Sequence, residues 1–177
     1  FNGTGFAELE IPKTVETIGQ SAFEDTEKLE SLTFEAGSRL KTIGKRAFQS
    51  STLQHIDIPE GVTAIGESAF SWSGLKSFTL PSTVTVLENS LFAGSKGLEG
   101  VEYTLPAHLT KIGNSVFEDT GLKFDVVEIP ATIVSVGARA FAGTTINTFK
   151  LQQNTTEFIN PESGGNAYQG GLNEATV

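Results

Sequence analysis

The chain has 177 residues, with 21 acidic side chains against 12 basic ones, a formal charge of −9 at pH 7 and a pI near 4.7. That balance argues against nucleic acid or an anionic membrane surface as a partner, since both require clustered Lys and Arg. The lack of cysteine excludes disulfides, thiolate chemistry and thiol-ligated zinc. No apolar run approaches the ~20 residues a membrane-spanning helix needs.

One string of residue types returns along the chain every 22–25 residues. Ile18-Gly19-Gln20-Ser21-Ala22-Phe23 is followed by Ile43-Gly44-x-x-Ala47-Phe48, Ile65-Gly66-x-x-Ala69-Phe70, Ile112-Gly113-x-x-Val116-Phe117 and Val136-Gly137-x-x-Ala140-Phe141, with Leu87-Glu88-x-x-Leu91-Phe92 as a degenerate copy. Self-similarity at such a period signals a solenoid of stacked coils, none of which can bury its apolar face alone.

Taken in order, the first unit is cut mid-coil. Phe1, Phe6, Leu9, Ile11 and Pro12 match Phe48, Leu53, Ile56, Ile58 and Pro59 step for step. The alternations Leu9-x-Ile11, Leu32-x-Phe34, Ile56-x-Ile58, Phe78-x-Leu80, Val101-x-Tyr103-x-Leu105, Val127-x-Ile129 and Phe149-x-Leu151 have the period of two of half-buried strands, so seven strands are expected to stack in parallel. Pro12, Pro59, Pro81, Pro106 and Pro130 end them, because a missing N–H and a fixed φ turn the corner. After the corner, pairs such as Val15/Ile18 and Val62/Ile65 point to a second short strand. The glycine that follows is expected to supply a backbone angle forbidden to other residues, and x-x-Ala-Phe to form one short helical or 3-10 turn. The seven anchor Phe residues read as an aromatic spine through the core.

The pattern loosens over residues 152–166 and recovers at Ala167-Tyr168, with Leu172 to Val177 as an eighth strand. The expected architecture is one domain, residues 1–177, built as a repeat solenoid of about eight coils. Because Phe1 begins mid-coil and Val177 ends on a strand, the chain is expected to be a fragment of a longer surface protein.

The motif φ-Pro-x-x-Val-x-x-Ile-Gly-x-x-Ala-Phe followed by Leu-x-x-φ-x-φ, with φ apolar, resembles the BspA-type, or Treponema pallidum class, leucine-rich repeat. The Ile-Gly-x-x-Ala-Phe half differs from the Leu-x-x-Asn consensus of ordinary leucine-rich repeats, and no asparagine ladder is traceable at the equivalent position. The resemblance implies a curved right-handed leucine-rich-repeat coil stack with a parallel sheet on one face, an extracellular or cell-surface location in a host-associated bacterium, and a non-catalytic role in protein interaction or adhesion. A spacer presenting another domain at the cell surface is the alternative. No cofactor and no metal are implied.

Outward positions of the strands form a column, Glu10, Thr33, Asp57, Thr79, Glu102, Glu128 and Lys150. Strands lie about 4.8 Å apart, so these are near neighbours. Acids alternate with Thr as far as Glu102 and Glu128, which suits an ordinary solvated sheet. As a partner-contact face, the candidates are Glu10, His55, Asp57, Thr79, Glu102 and Glu128, with Trp72 as an edge anchor. Trp72 stands where other coils carry Asp25, Ser50, Gly94, Asp119 and Gly143, and either lies across the next coil or makes a contact hot spot. His55, Asp57 and Ser77 have the composition of a catalytic triad. A flat strand row, however, supplies neither a His bonded to both partners nor a concave site that excludes water, and the catalytic reading is set aside. His108 has no second imidazole or thiol at ligand spacing, and Asp25, Asn89 and Asp119 are too scattered for a calcium loop. Asn2 and Asn154 head glycosylation sequons of the short kind that arise by chance.

Overall fold

A computed structural model describes residues 1 and 5–151. The eighth strand, the Tyr168 anchor, the 160–166 loop and both sequon asparagines lie outside the described residues.

The strands in chain order are β1 (Glu8–Ile11), β2 (Thr17–Ile18), β3 (Ser31–Phe34), β4 (Thr42–Ile43), β5 (His55–Asp57), β6 (Ala64–Ile65), β7 (Ser77–Thr79), β8 (Val86–Leu87), β9 (Lys111–Ile112), β10 (Lys123–Ile129), β11 (Ser135–Val136) and β12 (Thr145–Leu151). All pairings are parallel, as a coil stack requires. Period-two burial holds in the first sheet. Leu32, Ile56 and Phe78 point inward while Ser31, Thr33, His55, Asp57, Ser77 and Thr79 are exposed. The predicted second strand is present as a two-residue element after each of the five Pro corners, and again as β4, whose own corner has no Pro.

The main ladder is not continuous. β1-β3-β5-β7 form one sheet and β10-β12 another, and between them only an isolated bridge joins Glu102 to Lys123. The predicted strand at Val101–Leu105 is therefore absent. The longer linker before it folds into a 3-10 turn, Lys96–Leu98, followed by Gly100 at φ +77°. This replaces the simple turn of other coils and displaces the chain from the β7 register. The second long linker behaves oppositely. Lys123, Phe124 and Asp125 extend β10 backward into a seven-residue strand, with Phe124 buried and Asp125 exposed.

The x-x-Ala-Phe segment is not helical, contrary to expectation. The residue before Ala in each repeat (Ser21, Arg46, Ser68, Ser90, Ser115, Arg139) has φ of 53–58°, and the second after Phe (Asp25, Ser50, Trp72, Gly94, Asp119, Gly143) has φ of 53–71°. A left-handed residue at every fourth position prevents a right-handed helix from propagating. Hydrogen bonding shows what is gained. Ala22 and Glu24 donate locally, to Gly19 and Ser21, while Ser21, Phe23 and Asp25 donate to Lys45, Ala47 and Gln49 of the next coil at 2.7–2.9 Å. Alternate N–H groups thus build a further inter-coil ladder, and the same pattern continues from Ser68, Phe70 and Trp72 to Asn89, Leu91 and Ala93.

The signature glycine also differs from expectation. None of Gly19, Gly44, Gly66, Gly113 or Gly137 has positive φ; the constraint is space. A Cβ on Gly44 would sit 2.6 Å from the Gln20 backbone N, on Gly66 2.5 Å from Lys45 N, and on Gly137 2.4 Å from Asn114 N. Where the repeat carries Glu88 instead, the short-strand ladder breaks, giving β2-β4-β6 and β8-β9-β11 as separate sheets.

Between the ladders runs the aromatic spine. Phe1, Phe23, Phe48, Phe70, Phe92, Phe117 and Phe141 stack with centroids 5.0–5.9 Å apart. Burial of the ring and offset stacking both contribute. A buried hydroxyl three residues after each anchor from Phe23 onward (Thr26, Ser51, Ser73, Ser95, Thr120, Thr144) accompanies the spine. Thr26, Thr120 and Thr144 donate to the carbonyl of their own anchor Phe at 2.6–2.9 Å, and Ser95 donates to Phe70 O at 2.6 Å.

Three substitutions test this account. Gly66→Ala should destabilise the chain by about 1–3 kcal/mol through overpacking, whereas Gly19→Ala, whose Cβ meets nothing within 4 Å, should be near neutral. Denaturant titration of both variants beside the parent measures the difference. Phe70→Ala should cost about 3–5 kcal/mol in the same assay.

Candidate functional site

The outward residues of β1, β3, β5 and β7 make a connected polar surface. It is concave at one place, where Ser31, Thr33, His55 and Asp57 meet Glu35, Gly37, Pro59 and Glu60 around a cavity of about 540 Å³. Leu32 and Phe34 contribute apolar surface to its lining. The loop residues arrive because the chain turns at Gly37, φ +79°, after β3 and at Pro59 after β5. Two contacts hold that rim: Lys13 pairs with Glu35 at 3.3 Å, and Ser82 donates N–H and O–H to Glu60 at 3.0 and 2.8 Å.

A row of hydrogen bonds crosses the middle of this face. Ser77 Oγ lies 2.5 Å from His55 Nδ1, His55 Nε2 lies 3.1 Å from Asp57 Oδ2, and Thr79 donates to Asp57 Oδ1 at 2.9 Å. A neutral His55 protonated on Nε2 satisfies every partner, accepting from Ser77 and donating to Asp57. Parallel register produces the row, since His55 pairs with Ser77 and Asp57 with Thr79. Contrary to expectation for a flat strand row, His55 is bonded to both Ser77 and Asp57, and a cavity adjoins them. The third requirement, exclusion of water, is not met, as the His55 and Asp57 side chains are 55% and 68% exposed.

The hydrogen bonds from Thr79, then His55, hold the Asp57 carboxyl below the ordinary carboxylate range. A depressed folded-state pKa means a contribution to stability that is present above the unfolded pKa and lost as pH falls through the folded one. Thr79→Val should therefore raise the Asp57 pKa, remove part of the stability present above the unfolded pKa and flatten its loss on acidification. NMR titration of the Asp57 side-chain carbon in both proteins measures the shift.

Other candidates are placed differently from expectation. Glu102 and Glu128 are not neighbours; Glu102 is bridged to Lys123, and Glu128 stands in register with Lys150. Opposite charges face each other at both positions, because the added residues 123–125 move Glu128 out of line with Glu102. Glu10 is in register with Thr33. Trp72 belongs to the turn column, not the sheet face. It is 60% exposed, and a Cβ on Gly94 would come within 2.6–2.8 Å of its ring-fusion atoms, so one face of the indole lies on the next coil. Nearby, Arg139 Nε donates to Glu118 at 2.7 Å. Partial burial pushes Glu118 up, but hydrogen bonds from Arg139 and Ser115 outweigh it and hold the carboxyl low.

Two features escaped the sequence reading. A short asparagine ladder runs one residue beyond the signature glycine, at a different repeat position from the Leu-x-x-Asn consensus: Asn89 Oδ1 accepts from Asn114 N, and Asn114 Oδ1 from Ala138 N, both at 2.9 Å. Asn at the same repeat position in two consecutive units was its visible trace. The hydroxyl column was likewise written as Phe-x-x-Ser/Thr in every repeat with an Ile-Gly-type signature. Among the described residues no group of three or more His, Asp or Glu side chains is placed to hold a metal ion.

The model of the BspA type leucine rich repeat region matches residues 1–123 and 99–162, in six copies. The chain belongs to that family. Solved structures agree in fold. A leucine-rich repeat protein from Bacteroides ovatus superposes with a TM-score of 0.61 at 25% identity, covering 86% of this chain and 54% of its own. The leucine-rich repeat protein of T. pallidum superposes with a TM-score of 0.66 at 21% identity, covering 81% of this chain and 73% of its own. This BspA-type chain thus spans about half the length of the B. ovatus protein. No curated protein matches it in sequence.

Proposed function

We propose that this BspA-type chain is a non-catalytic protein-interaction module that works at the cell surface or outside the cell, and that its partner docks on the β1-β3-β5-β7 face. The observation that carries the reading is the cavity beside the His55–Asp57 row, a concave place on an exposed sheet whose outward side chains are polar and mainly acidic or hydroxylic. Family membership supports the location. No helix among the described residues is long and apolar enough to cross a membrane.

The chemistry of the face favours a partner presenting basic and hydroxyl groups. Glu10, Asp57 and the rim acids Glu35 and Glu60 place negative charge where the whole chain already carries −9. Such complementarity speeds encounter and sets register more than it adds affinity. The exposed His55–Asp57–Ser77 row serves here as a preorganised hydrogen-bonding strip, each group held by its neighbour before the partner arrives. A stiff spacer is the second reading, favoured by the unbroken Phe stack, and it predicts indifference to any surface change that leaves the coils intact.

The test uses immobilised chain and a panel of extracellular-matrix and bacterial-surface proteins, with Glu10→Ser/Asp57→Ser as the variant. The expected result is retention of one panel member that weakens by about tenfold in the variant at low salt, with thermal stability little changed. Retention unaffected by the double substitution would remove the sheet face, and retention of nothing would favour the spacer.

A further inference from the structure

We infer a second binding site, on the turn face, for a neutral pyranose sugar stacked on Trp72. A cavity of about 260 Å³ is lined there by Trp72, Gly94, Ser68, Ser90, Gln49 and Asp119 among others, and it shares no residue with the sheet-face cavity. The inference stands apart from the reading of the sheet face.

Three observations lead to it. Trp72 holds a left-handed backbone conformation, φ 56°, at a position where the other coils use Asp, Ser or Gly. The fold imposes that backbone angle on every coil, and only here does the position carry an aromatic side chain. The core does not require the residue, since it remains 60% exposed. Next, Gly94 gives the indole a flat seat, and Trp72 and Gly94 together line the cavity. Finally, the polar groups that line it with them are mixed in kind. Asp119 is an acceptor, Ser68 and Ser90 offer hydroxyls, and Gln49 offers an amide, yet none of these side chains makes a hydrogen bond within the chain among the described residues. The nearby cation, Arg139, is turned onto Glu118.

That combination matches the chemistry of a pyranose. One ring face carries axial C–H bonds that pack on an aromatic surface, and the equatorial hydroxyls both donate and accept around the rim. A cation would be held chiefly by carboxylates beside the indole, whereas here Glu118 is paired with Arg139 and the remaining rim groups apart from Asp119 are uncharged hydroxyls and an amide. The volume lies below the ~300–1,000 Å³ of pockets for drug-sized ligands, which fits a single ring.

The chain contains one Trp, so its fluorescence reports this site alone. The probes are glucose, galactose and N-acetylglucosamine, each free and coupled to serum albumin, with choline and lysine amide as cationic comparators. A saturable blue shift with at least one sugar, free or coupled, is expected, and none with the cations. By calorimetry, Asp119→Asn should weaken that sugar by about tenfold and Trp72→Ala should abolish its binding, while Gly19→Ala leaves it unchanged. The inference is overturned by the absence of a saturable shift with every sugar, or by a shift with choline or lysine amide alone. Sugar binding that survives both Asp119→Asn and Trp72→Ala overturns it as well, and then a loss of thermal stability in Trp72→Ala would assign the residue to coil packing.

Discussion

The structure depends on how closely one coil can approach the next. Three inter-coil ladders must form at once: the long strands, the two-residue strands and the alternating N–H groups of the left-handed turns. Parallel pairing fixes their spacing near 4.8 Å, and the narrowest place is the signature glycine, where a Cβ would fall 2.4–2.7 Å from backbone atoms of the preceding coil. Glycine is there for proximity, not for conformational freedom. The Glu88 repeat shows the consequence of its loss, because the short-strand ladder parts between β6 and β8 while the turn ladder and the Phe stack continue across the same junction. Redundant ladders let one fail locally without dividing the body.

Close approach brings a polar problem with it. The turns carry N–H and C=O groups into a core lined by Phe, and each buried unpaired group would cost about 1–3 kcal/mol. The hydroxyls of Thr26, Ser95, Thr120 and Thr144 meet part of this by donating to Phe carbonyls, and nearer the surface Asn89 and Asn114 accept from N–H groups of the next coil. On the outside, the same register sets charge against charge at one-coil spacing: Lys13 with Glu35, Lys45 with Glu67, Arg46 with Glu24 and Arg139 with Glu118. These exposed pairs add little stability individually. Their effect is local: each fixes side chains of two neighbouring coils against one another.

Period and apolar spacing made the coil stack legible, because the interior of a solenoid accepts only particular residues at particular steps. Leu32, Ile56, Phe78 and the seven anchor Phe residues all stand where alternation and recurrence place them. The left-handed turns were not legible, since Arg46 and Trp72 are poor markers of positive φ and adopt it where the next coil supplies the hydrogen-bond acceptors, Glu67 O and Ala93 O. The Glu102–Lys123 bridge was hidden for a related reason: insertions at 96–100 and 123–125 change register by an amount that only packing decides. His55, Asp57 and Ser77 could be named from the sequence, but their mutual hydrogen bonds depend on β5 and β7 being in direct register.

Exposed columns in such a stack are free of the demands that govern the interior, yet they are not independent of one another. In the turn column each side chain leans onto the next coil, so a large residue at one position restricts its successor. The indole of Trp72 lies where a Cβ of residue 94 would be, and residue 94 is glycine; Asp119 leans toward position 143 in the same way, and residue 143 is also glycine. A bulky or charged group therefore appears at alternate coils in the second half of the column, each backed by a glycine. Spacing groups two coils apart doubles the distance between them to about 10 Å, leaving the room between neighbouring side chains that a flat ladder of adjacent residues lacks. The stacking that denies the chain a deep cleft thus still allows it shallow, regularly spaced recesses on its surface.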